Sequence, residues 1–243
     1  MEVKDQTKVA ECFVEYFTKI ACEIGDPELL ELFEEQLYDY KSVESIRNHK
    51  EIDNSPKFRF GKVRQDEVQL ALENLKVSKS CGYDGLPNRL LKLISGPLAP
   101  SLTQMFNACI QDNYWPVQWK KGEWVPIYKK ENPRAENSYR PITVLSAVGK
   151  VFEQLIGKQL TDMEPKLENN LTAYRKKNSC ETSLIKLVED WKISLDNKTV
   201  VGVLTTDLSK AFDSLHPPLL LAKLKAYDLS EDRGSSYVEK LFY

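Results

Sequence analysis

Asp207 closes the apolar run VVGVLTT, and Phe212 follows it by five residues, so a carboxylate and an aromatic ring stand where a predicted strand ends. A strand that stops on a carboxylate is one way to aim an acidic oxygen into a site, and also an ordinary way to end a strand. Lys129 and Arg140 carry the complementary charge, flanking a polar loop between two short apolar runs. A carboxylate-held Mg²⁺ facing cationic side chains is the recurring equipment of phosphoryl and nucleotidyl transfer, because ion and cations together balance the charge that builds on phosphate oxygens. Other chemistries have no foothold. No GxGxxG, GxxxxGKS or GxSxG occurs, and His49 and His216 are isolated. Read singly, Lys129 and Arg140 are ordinary solvated charges, Asp207 is an ordinary strand end or cap, and Phe212 is a core ring.

The chain has 243 residues, 42% apolar and 10% aromatic, enough to bury a sizeable core in one large domain or two small ones. No apolar run is long enough to span a membrane, and the start, MEVKDQTKVAECF, has neither the basic nor the apolar region of a secretory signal, so an intracellular protein is expected. Five scattered cysteines without a CxxC pair argue for reduced thiols rather than zinc or disulfides. Residues 1–60 carry 8 Lys/Arg against 14 Asp/Glu, a net of −6, whereas the remaining 183 carry 26 against 22, a net of +4. An acidic lead-in therefore precedes a mildly basic body, with local basic clusters in WKKGEW, IYKKENPR and YRKKNSC.

Apolar residues recur at helical spacing over 5–24 and 65–76, in two short stretches over 87–94 and 98–112, and over 146–160 and 179–196, where Ser179 supplies an N-cap. Glu123–Tyr128 and Ile142–Leu145 read as two strands joined by a charged, proline-containing loop. IRNHKEIDNSPKFRFGK has no period and reads as a linker, which puts a domain boundary near residue 60. VSKSCGYDGLPN must turn, since Gly, Asp-Gly and Pro follow in close order.

Four stretches, CGYDGLPNRLLK, WVPIYKKENPRAENSYRPITVLSAVGKVFEQLI, LTAYRKKNSCETSLI and VVGVLTTDLSKAFDSL, occur in the order and approximate spacing of the reverse transcriptase of non-LTR (LINE-type) retrotransposons. The resemblance runs from about residue 64 to about 228, and VAECFVEYFTKIACEIG is similar to the connector that precedes the polymerase in such elements. It implies an α/β (α+β), mostly helical fold: residues 1–60 an acidic helical connector, residues 61–243 the fingers and partial palm of a right-hand polymerase, with the thumb absent. It also implies RNA-directed DNA synthesis with Mg²⁺, an RNA template, a DNA primer and deoxynucleoside triphosphates.

By the same resemblance, the Asp207 side chain and the Leu208 carbonyl match the metal-binding positions, and Phe212 matches the ring that excludes a ribose 2′-hydroxyl. Lys129 and Arg140 match cations that grip the incoming triphosphate. Arg175 and Ser179 match an element lying along the template, with Tyr174 where the family has Phe and Ala173 where it has Gly. Asp213 matches a second acidic position and is read as fixing the turn. The Tyr-x-Asp-Asp sequence expected further on does not occur, since Asp228, Glu231, Asp232 and Glu239 are the only later acids. A single carboxylate cannot hold two Mg²⁺ ions, so the isolated chain is expected to be catalytically incomplete. The alternative is a nucleic-acid-binding or protein-interaction module without catalysis. Residues 200–206 are expected inside a sheet.

Overall fold

The structure, a computed structural model, describes residues 5–23, 34–49, 57–79, 81–129, 132–161, 172–175, 177–207 and 215–230. They fall into two compact units, one drawn from residues 1–162 and 212–243 and the other from residues 163–211. The fold is mostly helical with one small antiparallel sheet. No helix among the described residues is long and apolar enough to cross a membrane.

In the first unit the elements run α1 (Gln6–Glu23), α2 (Glu34–Tyr38), α3 (Lys41–His49), α4 (Gln65–Glu73), α5 (Asn88–Leu93), α6 (Ser95–Gln111) and α7 (Val117–Lys120). There follow β1 (Gly122–Tyr128), a 3₁₀ turn (Glu136–Ser138), β2 (Tyr139–Leu145), α8 (Ala147–Leu160) and, after the second unit, α10 (Pro217–Ala226). The apolar stripes read from the sequence become the core: Val68 and Leu72 of α4, Leu102 and Phe106 of α6, and Val151, Phe152 and Ile156 of α8 are all buried. Rings supply its centre. Phe106 and Phe152 stack at 4.6 Å, Trp115 stacks on Phe152 at 5.2 Å, and Trp119 meets Phe152 edge-on at 5.3 Å. Such pairs add about 0.5–1.5 kcal/mol each beyond the area they bury.

The end of the segment read as a linker, with the residue after it, is held at Phe58, Gly61 and Val63. The Gln159 carboxamide of α8 accepts from the Gly61 N–H at 2.8 Å and donates to its carbonyl at 3.1 Å. The Asn107 carboxamide of α6 does the same for Val63, at 2.8 and 3.0 Å. A carboxamide offers one acceptor and a donor, like a peptide group, so the two side chains stand in for a neighbouring strand at exposed Gly61 and at Val63, whose burial would otherwise strand its backbone groups. Phe58 in turn bridges Leu229, with Phe58 N–H donating to the Asp228 carbonyl at 2.8 Å and Ser230 N–H to the Phe58 carbonyl at 3.0 Å. The strap ends at α4, where Glu67 accepts from the Arg64 N–H at 3.2 Å and pairs with Lys158 of α8 at 3.0 Å.

The acidic lead-in makes its own contacts. Phe13 and Phe17 of α1 meet Tyr139 and Trp124 of the hairpin edge-on at 4.9 and 6.1 Å. Leu37 of α2, Val43 of α3 and Ala222 of α10 form a second, smaller cluster.

The second unit contains α9 (Cys180–Asp196), opened by a capping box in which the Ser179 hydroxyl accepts from the Thr182 N–H at 3.2 Å and the Thr182 hydroxyl accepts from the Ser179 N–H at 2.8 Å. None of its residues is buried. The strand expected over 200–206 is not formed: these residues are neither helix nor strand, and Val200, Val203 and Leu204 are 97%, 58% and 90% exposed. An apolar run becomes a strand only where another strand satisfies its N–H and C=O groups, and β1 with β2 is the only sheet among the described residues.

Candidate functional site

The hairpin carries the two predicted cations. Its register pairs Trp124 with Thr143, Val125 with Ile142, Pro126 with Pro141, Ile127 with Arg140 and Tyr128 with Tyr139, and Lys129 N–H extends the ladder by donating to the Ser138 carbonyl at 2.8 Å. Side chains alternate between faces, so Trp124, Pro126, Tyr128 and Tyr139 share the face that α1 covers. Val125, Ile127, Lys129, Arg140 and Ile142 share the other. Lys129 is therefore the diagonal neighbour of Arg140, roughly 7–8 Å away along the backbone and on the same side. Val125, Ile127 and Ile142 next to them are 40%, 49% and 48% exposed. Among the described residues neither cation is ion-paired. Two unneutralised cations on hydrogen-bonded strands, bordered by apolar surface, suit a ligand with adjacent phosphates and a flat apolar part.

The hairpin's geometry is fixed from outside. The backbone of Gly82 lies so close to the end of β2 that a Cβ there would sit 2.8 Å from the carbonyl carbon and oxygen of Leu145 and from Ser146 N. Only glycine permits that approach. Gly85 adopts φ +66°, closing the turn, and Asp84 accepts from the Leu86 N–H at 3.2 Å. Asn88, buried at the start of α5, donates to the Lys76 carbonyl at 2.9 Å and ties both ends of the loop together. Ser146 then caps α8 by accepting from Gly149 N–H at 3.1 Å. At the hairpin tip, Tyr139 OH donates to the Pro133 carbonyl at 2.9 Å and Asn132 Oδ1 accepts from the Arg134 N–H at 3.0 Å.

The other predicted residues belong to the second unit. Ser179 is occupied by the cap of α9. Arg175 is half-buried, and its carbonyl accepts from Asn178 N–H at 3.3 Å. Asp207 is exposed, at the end of the unpaired run 199–207. Leu208, Phe212 and Asp213 lie outside the described residues. The donors for a metal can be tested directly: among the described residues no group of three or more His, Cys, Asp or Glu side chains converges, so Asp207 belongs to no described cluster of that size. The described donors do not make up a Mg²⁺ site.

Sequence reading missed the residues that position rather than bind. Asn88, Asn107 and Gln159 act through backbone groups 12, 44 and 98 residues away. Their only trace in the sequence is a carboxamide in or beside an apolar helical stripe, as in MFNACI and LPNRLL.

Residues 127–242 match the reverse transcriptase (RNA-dependent DNA polymerase) family, a span that includes Lys129, Arg140, Arg175, Ser179, Asp207 and Phe212. The chain is 28% identical over 167 residues to a probable RNA-directed DNA polymerase from transposon BS of Drosophila melanogaster, covering 67% of this chain and 18% of that protein. It is 28% identical over 198 residues to the RNA-directed DNA polymerase from mobile element jockey of the same species, covering 77% and 21%. A probable RNA-directed DNA polymerase from transposon X-element, also of D. melanogaster, is 32% identical over 163 residues, covering 65% and 18%. The chain spans about a fifth of the length of these curated relatives. A family match that begins inside β1, together with the similarity to three transposon polymerases, supports a LINE-type reverse transcriptase domain in this chain.

Proposed function

We propose that this segment forms the fingers and the entry to the palm of an RNA-directed DNA polymerase, binding a template–primer hybrid and the triphosphate of an incoming deoxynucleotide. Lys129 and Arg140 grip the phosphates, Arg175 lies along the RNA template, and Phe212 stands against C2′ of the sugar. The observation that carries the reading is the pairing of Lys129 and Arg140 on the exposed face of a hairpin that the family match enters at residue 127 and that contains both cations within the matched span. Charge-assisted hydrogen bonds from two such cations would hold a polyanion and neutralise the charge that develops when its α-phosphorus is attacked. The Mg²⁺ on which the family's chemistry depends is assigned to Asp207 and the Leu208 carbonyl, but one exposed carboxylate does not build that site. The isolated chain therefore binds without synthesising DNA.

The test is binding of a short RNA/DNA hybrid, with and without triphosphate, by the wild-type chain and by Lys129→Ala/Arg140→Ala across a salt series. Salt-dependent binding weakened by the double substitution supports the reading. Binding that ignores both salt and the substitutions would favour a protein-interaction module instead.

A further inference from the structure

A hairpin of two strands is marginally stable in water by itself, and no third strand joins β1 and β2 among the described residues. Its support comes from the face opposite Lys129 and Arg140, where Phe13 and Phe17 of α1 meet Tyr139 and Trp124. Away from these rings the fit is open. A cleft of about 310 Å³ lies between α1 and β1, lined by Val9, Ala10, Val14 and Pro126 as well as by Phe13 and Trp124. Atoms that border a void have lost their contacts on that side, so the hold of α1 on the hairpin is concentrated in the ring pairs.

Tyr139 is where that hold reaches the cations. Its ring meets Phe13 at 4.9 Å and its cross-strand partner Tyr128 at 5.6 Å, both edge-on. Its hydroxyl donates to the Pro133 carbonyl at 2.9 Å, which ties the hairpin tip to the same side chain. Arg140 follows Tyr139 in β2 and Lys129 follows Tyr128 at the end of β1, so this one ring fixes both backbones from which the cations leave. We propose that Phe13 is a positioning residue for the phosphate grip: by holding Tyr139 it keeps Lys129 and Arg140 at a fixed separation, so that both engage adjacent phosphates of one ligand. Cations held in place bind without first being ordered, and mobile ones lose that advantage. The proposal rests on the reading of Lys129 and Arg140 as phosphate ligands. It adds to that reading a residue on the face they do not share, outside the family match of 127–242.

The experiment uses the full chain, a labelled RNA/DNA hybrid and fluorescence anisotropy across a salt series, arranged as a double-mutant cycle. Phe13→Ala should weaken binding roughly fivefold in the wild-type background, the scale of one aromatic pair. It should change almost nothing where Lys129→Ala/Arg140→Ala is already present, because the groups it positions are gone. Phe13→Tyr, which keeps the ring, should retain most of the affinity. Phe13→Leu keeps much of the volume without the ring; it should lose about twofold, and it completes the same cycle if Phe13→Ala does not fold. Equal losses with and without the two cations would overturn positioning and leave Phe13 a support of the fold alone. Full affinity in both Phe13→Ala and Phe13→Leu, with the cation variant still weakened, would also overturn it while the phosphate grip stands. A cation variant that binds as the wild type does would overturn both readings.

Discussion

The β1–β2 hairpin carries the candidate residues Lys129 and Arg140 and the run 199–207 ends on the candidate Asp207, and the two are built in opposite ways. The hairpin carries Lys129 and Arg140 on strands hydrogen-bonded from residue 122 to 145, with α1 over one face and Gly82 against its end. Asp207 ends a run with no ladder, next to a helix with no buried residue. The difference teaches which function can be preorganised within one segment. Cations that grip phosphate need only a fixed backbone and solvent access, which local packing provides. A metal centre needs several carboxylates converging within a few ångströms, and such convergence requires neighbouring strands.

The sharpest way to break the contrast is to remove the packing on the side that has it. Phe152 is fully buried between Phe106, Trp115 and Trp119. Phe152→Ala should cost about 3–5 kcal/mol in denaturant unfolding followed by tryptophan fluorescence. Leu187→Ala, on α9 where the side chain is 48% exposed, should change stability by less than about 0.5 kcal/mol. Similar losses at the two positions would erase the distinction.

Gly82→Ala comes next. Its Cβ would sit 2.8 Å from the backbone of Leu145 and Ser146, and backbone cannot swing aside as a flexible side chain can. A cost of about 1–3 kcal/mol is expected, with hydrogen exchange rising at the β2–α8 junction while α9 stays unchanged.

Why this glycine matters was only half legible in the sequence. CGYDGLPN announced a turn, but not what the turn presses against, because Leu145 lies 63 positions from Gly82. Helical spacing gave α1, α4, α6, α8 and α9, and apolar runs gave the hairpin, whose strands extend a few residues beyond those predicted. These are local signals. The carboxamides of Asn107 and Gln159 that pin residues 61 and 63 were illegible, since satisfaction of distant backbone groups leaves no periodic trace. VVGVLTT misled for the related reason that composition specifies a strand's faces but not its neighbours. In the candidate site the cations were legible as a pair, and the register explains why: residues 129 and 140 fall on the same side of the hairpin.

That pairing is sharpened by binding. Lys129→Ala/Arg140→Ala should weaken affinity for an RNA/DNA hybrid by roughly tenfold and reduce the slope of log affinity against log salt by about two, one for each phosphate no longer neutralised. Single substitutions should each remove about half of that slope change. A slope unaltered in the double variant would mean that the hairpin face does not meet phosphate.

A smaller effect is expected at Glu67. The Arg64 N–H and then the Lys158 ammonium hold its carboxyl below the ordinary value of 4.5. A depressed folded-state pKa means that the stabilisation is present at neutral pH and is lost as pH falls below the ordinary glutamate range and through the lowered value. Lys158 is 67% exposed, so the ion pair contributes at most about 1 kcal/mol. Glu67→Gln should therefore cost little at pH 7 and flatten the acid limb of stability measured by denaturant titration. A variant whose acid limb matches that of wild type would leave the contact between α4 and α8 without an electrostatic part.

The smallest expected effect is at the residue whose match to the family suggests most. Nucleotidyl transfer by two ions needs them about 3.5–4 Å apart, one lowering the pKa of the primer hydroxyl and the other balancing charge on the leaving pyrophosphate. Asp207 is exposed, and no cluster of metal-binding side chains converges among the described residues. A lone solvated carboxylate should bind Mg²⁺ only at roughly millimolar concentrations, and the fixed field on which rate enhancement depends should be absent. Primer extension on an RNA template with Mg²⁺ should give no product with this 243-residue chain, and Asp207→Ala should leave both that result and hybrid binding unchanged. Extension that Asp207→Ala abolishes would reverse the conclusion. It would mean that acids outside the described residues, Asp213 first among them, complete the ion site, and that the run 199–207 acquires its missing neighbours when template and primer bind.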